Sequence, residues 1–165
     1  MPETAKKTRE ATSPPKPDPR LREFERFIGT WEMKGKTLDS DADGYNVTAT
    51  ATFEYLPGEF FVAQRFKADF DGRPIESLEI IGYDPETDTF PSTVFANMAA
   101  RPLAYRWDLD GDDVTITTDE LGATFHGKWS GDELSGGWRP NPGREGPGNA
   151  PYDVSGKRAK SGPRT

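Results

Sequence analysis

Apolar and polar residues alternate along most of this chain. Tyr45, Val47, Ala49, Ala51, Phe53 and Tyr55 stand between Asn46, Thr48, Thr50, Thr52 and Glu54. That period of two puts the apolar side chains on one face of a long, half-buried strand. Pro57-Gly58 turns it, and Phe60–Phe70 forms the next strand. Asp71-Gly72-Arg73-Pro74 is a turn signal, with strands over Ile75–Asp84 and Thr89–Met98 after it. Leu103, Tyr105, Trp107 and Leu109 alternate up to Asp110-Gly111, a hairpin signal, and Val114 and Ile116 mark the return strand. Ala123–Ser130, Glu133–Arg139 and Tyr152–Lys160 complete the set. Ahead of them Leu21, Phe24, Phe27 and Ile28 recur at i, i+3, i+6 and i+7, which predicts a short helix with one apolar stripe. The expected fold is all-β: about ten antiparallel strands in an up-and-down barrel behind one short N-terminal helix. Two packed sheets are the alternative. The turn-rich stretch Asn141–Asn149 belongs at a barrel rim, as a gate or a mobile loop.

Composition divides the chain of 165 residues into a domain over 20–160 and tails over 1–19 and 161–165. The N-terminal segment, with Lys6-Lys7 and Ser13-Pro14-Pro15-Lys16-Pro17, is too polar to offset its ordering entropy, so both tails are expected to be disordered. Residues 1–20 and 156–165 hold nine of the 21 basic and three of the 28 acidic groups. The middle is therefore near −13 and the ends near +6. Such an acidic core repels phosphate backbones, which argues against nucleic-acid binding by the domain. No apolar run approaches the ~20 residues of a membrane span. Cysteine is absent, which removes disulfides, thiolate catalysis and thiolate metal sites. With no secretion signal at the N-terminus, a cytoplasmic location is expected.

Gly29-Thr30-Trp31 follows the helical stripe at the head of the first strand. There the glycine permits a close approach and the tryptophan plugs one end of a barrel. With Ile81-Gly82-Tyr83-Asp84 at a strand end and Tyr152-Asp153-Val154 in the last strand, the chain resembles a bacterial lipocalin-like (calycin-type) family with no agreed activity. The resemblance covers roughly residues 21–160 and implies a closed or nearly closed barrel around a cavity. It also implies a basic residue of the last strand, here Arg158, stacked on Trp31 as a structural cation–π contact. The nitrobindins, which open with the same Gly-Thr-Trp, hold haem through a histidine of the C-terminal strand. Here that strand, Pro151–Arg158, has none.

Large rings on alternating strands, Phe53, Phe66, Tyr105, Trp107, Phe125, Trp129 and Trp138, fill a core first and line any remaining cavity second. Gln64, Ser77 and Glu79 share parity with apolar neighbours, although Leu78 and Ile80 compete for the same inward face. A carboxyl such as Glu79 inside an apolar cup would have a raised pKa. His126, the single histidine, alternates with Phe125, Gly127 and Trp129 and faces solvent if those rings face inward. Asp39-Ser40-Asp41-Ala42-Asp43-Gly44 matches half of a calcium loop, but Thr50 stands where a bidentate Glu is needed. Asp108, Asp110, Asp112 and Asp113 read as turn chemistry around Gly111. The functional expectation is an intracellular protein that binds a small, mostly apolar molecule, with no cofactor and no metal. Phe53, Gln64, Phe66, Glu79, Tyr105, Trp107, Phe125, Trp129 and Trp138 would contact it, and Gly29, Trp31 and Arg158 would be structural. The alternatives are a nitrobindin-like haem protein, or an isomerase or hydrolase using Glu79 or His126 as its acid–base group.

Overall fold

In a computed structural model, which describes residues 13–38, 46–146 and 149–160, the strands close on themselves. They are β1 (Gly29–Thr37), β2 (Asn46–Tyr55), β3 (Val62–Phe70), β4 (Arg73–Ile81), β5 (Phe90–Ala96), β6 (Leu103–Asp110), β7 (Asp113–Thr118), β8 (Ala123–Ser130), β9 (Glu133–Pro140) and β10 (Tyr152–Arg158). Each pairs antiparallel with its chain neighbours, and β1 also pairs with β10, which makes a closed ten-stranded barrel with no free edge. The all-β expectation holds and the two-sheet alternative falls. The candidate calcium segment Asp39–Gly44 lies outside the described residues.

Short loops set the register. Asp71-Gly72 is a two-residue turn with both residues at positive φ (51° and 92°), the backbone that matches strand twist. It lets β4 begin at Arg73 rather than Ile75, with Pro74 facing outward opposite Asp69. Gly111 and Gly131 open two more two-residue turns, in which only the glycine has positive φ. Phe60 and Phe61, expected in a strand, belong to the β2–β3 loop and stay exposed, because Leu56 N–H bonds Phe61 O and Glu59 N–H turns back to Leu56 O. β4 likewise stops at Ile81. Gly82-Tyr83-Asp84 leaves it for a loop tied by Gly82 N–H to Pro91 O and Asp84 N–H to Thr89 O.

The helix is of the 3₁₀ type, Pro19–Phe27, with Asp18 capping it through Arg20 N–H. The spacing of three between Leu21, Phe24 and Phe27 is the period of that winding, which stacks them along one side. Ile28, expected in the stripe, has extended backbone after the last turn. All three stripe residues are at most 2% exposed because they plug the barrel. Phe24 meets Phe90 at 4.9 Å and Trp107 at 5.5 Å between centroids, and Phe27 meets Trp129 at 4.9 Å and Phe53 at 5.8 Å. Four arginines then bind the plugged end to the loops around it. Arg22 reaches Glu59 (3.2 Å), Arg20 Asp88 (2.9 Å), Arg26 Asp112 (3.6 Å) and Arg158 Asp132 (2.9 Å), one acid in each of the four hairpin loops at that end.

Arg158 also lies over the Trp31 ring (4.5 Å) and donates to the carbonyls of Arg26 and Ile28, while Trp31 Nε1 donates to Phe27 O at 2.8 Å. Gly29 passes beneath at φ +121°, where an added Cβ would lie 2.9 Å from Arg158. The structural roles expected of Gly29, Trp31 and Arg158 are thus consistent with this packing. Phe27→Ala should cost about 3–5 kcal/mol of unfolding free energy through the cavity it leaves. Gly29→Ala should cost about 1–3 kcal/mol through backbone strain. Urea denaturation measures both, and a loss under about 1 kcal/mol for Phe27→Ala would make the plug energetically dispensable.

Candidate functional site

The inner wall splits into two zones. At the plugged end Trp31, Phe53, Phe90 and Trp107 are at most 1% exposed and Trp129 is 5% exposed. They form a solid aromatic floor, with Trp31 and Trp129 edge to face at 5.4 Å. Beyond it seven inward side chains are only half-buried, Gln64, Phe66, Ser77, Tyr105, Trp138, Tyr152 and Val154, while Ala68 and Leu103 on two of the same strands are buried. In a closed barrel, an inward side chain in mid-strand stays water-accessible only if the lumen is not filled. Among the described residues, nothing hydrogen-bonds the side chains of Gln64, Ser77, Tyr105 or Tyr152.

Register resolves the contest between Glu79 and its neighbours. Glu79 pairs with Gln64 on one side and Val94 on the other, so it points inward, while Leu78 and Ile80 lie half-buried on the outer face. Its side chain is 5% exposed. Oε2 accepts from Ser92 Oγ (2.5 Å) and from Trp107 Nε1 (2.7 Å), which holds the carboxyl against the floor. Oε1 has no partner among the described residues, and it is not among the sealed, unpartnered atoms, which are Arg26 Nε, Thr118 Oγ1 and Trp129 Nε1. It therefore reaches accessible space. Burial raises the Glu79 pKa, and the donors Ser92 and Trp107 only partly oppose this. Burial, then the nearby Glu79 and Glu120, push Tyr105 up to about 12, and burial raises Tyr152 too. Both phenols are neutral donors at ordinary pH.

The nine expected contact residues thus divide. Gln64, Phe66, Tyr105 and Trp138 border the lumen, and Glu79 touches it. Phe53, Trp107 and Trp129 are packed against the plug. Phe125 lies over the glycine pair Gly127 and Gly136, where an added Cβ would meet its ring at 2.7 and 2.5 Å. Ser92 and Tyr152 stand outside those nine. Ser92 could be found from its parity between Phe90 and Val94, Tyr152 from its parity with Val154.

His126 is exposed on the outer face of β8, in a shallow groove with Ser135, Arg139 and Asp153. It supplies no imidazole to the lumen, so it cannot serve an interior acid–base pair. Haem held by a histidine does not fit this interior. Of the four aspartates around Gly111, Asp112 pairs with Arg26 and Asp113 with Lys128, while Asp108 and Asp110 are exposed residues of β6 rather than turn residues. Among the described residues no group of three or more His, Asp or Glu could hold a metal ion. The rim stretch at Asn141 is anchored in its described part: Arg144 donates to Asp119 O and Glu120 O, and Asn149 to Leu121 O. No helix among the described residues is long and apolar enough to cross a membrane.

Because burial raises the folded-state pKa of Glu79 above its unfolded value, the folded chain binds that proton more tightly. The stability this group adds is present below the unfolded pKa and is lost as pH rises through the folded one. The difference in unfolding free energy, wild type minus Glu79→Gln, should therefore fall as pH rises from the ordinary carboxylate range. Urea denaturation over a pH series measures it, and a difference that does not vary with pH would refute the assignment.

Two solved structures share the architecture. The crystal structure of Rv2717c from M. tuberculosis is 13% identical, with a TM-score of 0.60 over 87% of this chain and 99% of that one. The S-type phycobiliprotein lyase CPES from Guillardia theta is 13% identical, with a TM-score of 0.58 over 86% and 93%. At that identity both speak for the barrel alone. No curated protein matches the sequence. Residues 16–134 match the family described as "Protein of unknown function (DUF1579)", and that span is most of the chain, which therefore belongs to this family.

Proposed function

We propose that this protein binds a small, largely apolar molecule inside the barrel, in the space between the aromatic floor and the opposite rim. The observation that carries this reading is the set of half-buried, unpartnered polar groups on the inner wall: Gln64, Ser77, Tyr105 and Tyr152. With no protein partner they are left to water in the lumen, and a bound molecule would take the place of that water. Phe66, Trp138 and Val154 supply apolar surface beside them. Few polar groups on a mostly apolar wall is the usual make-up of a small-molecule site. The floor residues Phe53, Trp107 and Trp129 and the neighbouring Phe125 would give the ligand its lower boundary.

Recognition rather than catalysis is the better reading of Glu79. One carboxyl, with no base beside it on the described inner wall, lacks the second proton-handling group of an isomerase or hydrolase. In this reading the functional unit is residues 20–160 and the tails lie outside it. A cytoplasmic setting fits a chain without cysteine.

Ser77 projects inward from the middle of β4, so Ser77→Phe would fill the lumen without touching the floor. The neutral dye N-phenylnaphthylamine should brighten on the wild type and bind at least about tenfold more weakly to Ser77→Phe, a change of ~1.4 kcal/mol. Equal dye affinity in a folded Ser77→Phe variant would place binding elsewhere.

A further inference from the structure

Between its two ends, the described inner wall carries one acid and no base. Arg158 has inward parity, but it is committed at the floor to Trp31, Asp132 and the carbonyls of Arg26 and Ile28. Arg73 also has inward parity, but it is the first residue of β4 and is exposed at the rim. The remaining inward positions are apolar or aromatic residues, glycine, or the neutral polar residues Gln, Ser, Thr and Tyr.

A carboxyl held away from water needs a partner or its proton. The wall supplies both donors to Oε2 of Glu79 and leaves Oε1 facing the lumen with nothing. Two donors on one oxygen fix the plane of the carboxyl and aim the free one. That is half of an ion pair built into the wall, with the other half missing from the protein. We propose that the lumen takes an amphiphilic amine, its protonated nitrogen on Glu79 Oε1 and its apolar body directed toward the rim. This rests on the lumen-binding reading above and names the chemical class of its ligand.

Proton balance is simple. An amine arriving as the free base takes the proton from Glu79, and one arriving protonated displaces that proton to water. Either way an ammonium–carboxylate pair remains in a poorly hydrated site. Tyr105 pairs across the strands with Ser92, which donates to Glu79, so an aromatic residue neighbours the site. The acidic middle of the chain, near −13, raises the local concentration of cations and lowers that of anions. The far end suits a hydrocarbon body: Leu38 after β1, Met98 between β5 and β6 and Leu121 between β7 and β8 are 45%, 60% and 40% exposed there. A fatty acid, by contrast, would bring its negative charge to a wall with no base to meet it.

The test is an isosteric series on the full chain, read by tryptophan fluorescence at neutral pH below micelle formation: decylamine, decanol and decanoic acid. Decylamine should bind at least about tenfold more tightly than decanoic acid, with decanol between. Glu79→Gln should lose the preference for the amine, with circular dichroism as its check of folding. If that variant does not fold, the order of the three ligands on the wild type still decides. Decanoic acid binding as tightly as decylamine, or an amine preference surviving in Glu79→Gln, would overturn the amine assignment and leave the lumen reading standing. Binding of none of the three would remove the lumen reading and this inference with it.

Discussion

Everything inside this molecule depends on the seam where its two ends meet. β1 and β10 pair from Trp31 opposite Arg158 to Thr37 opposite Tyr152, and the guanidinium on Trp31 locks that pairing to the last turn of the helical plug. A contact of this kind between partly buried groups is worth about 1 kcal/mol as a cation–π pair. Its position gives it more consequence than its strength. It joins barrel closure, the orientation of the floor tryptophan and the seating of the helix in one cluster. Without closure β1 and β10 would be edges. Without the plug the floor rings would be wet, and Glu79 would be an ordinary solvated acid.

Much of the architecture was legible in the sequence because strand parity is a strong code. β2 obeys it throughout its described length, and the two-residue hairpins announce themselves through Asp71-Gly72 and Gly111. The stripe Leu21, Phe24, Phe27 was legible as a buried face but not as 3₁₀ winding. At about 100° per residue an α-helix would also keep these three residues and Ile28 within about 120° of arc, so the apolar pattern does not distinguish the two windings. Phe60 and Phe61 look like strand residues, and a loop hydrogen bond outcompetes that propensity.

The site was harder to read. Leu78-Glu79-Ile80-Ile81 offers apolar residues to both faces, so the pattern alone cannot orient Glu79. The cross-strand neighbours Gln64 and Val94 orient it, and those pairings are known only from the register. Ser92 matters through an oxygen thirteen positions away, a relation no local window contains. Floor and lumen residues also share one chemistry. Trp107 and Trp138 are equivalent in the sequence, and depth along the barrel separates them.

The arginine ties at the plugged end carry a mechanical consequence. Exposed ion pairs contribute little individually, but these four anchor four separate hairpins to one short segment and its clasp. Those hairpins therefore share one hub, while at the other end the described ties run between neighbouring connections, as from Arg144 and Asn149 to the β7–β8 loop. Local opening then has a direction, cheapest at the rim and costliest at the floor. A molecule seated against Glu79 would leave by the way it came, and its residence time would be set by the breathing of the rim rather than by the stability of the fold.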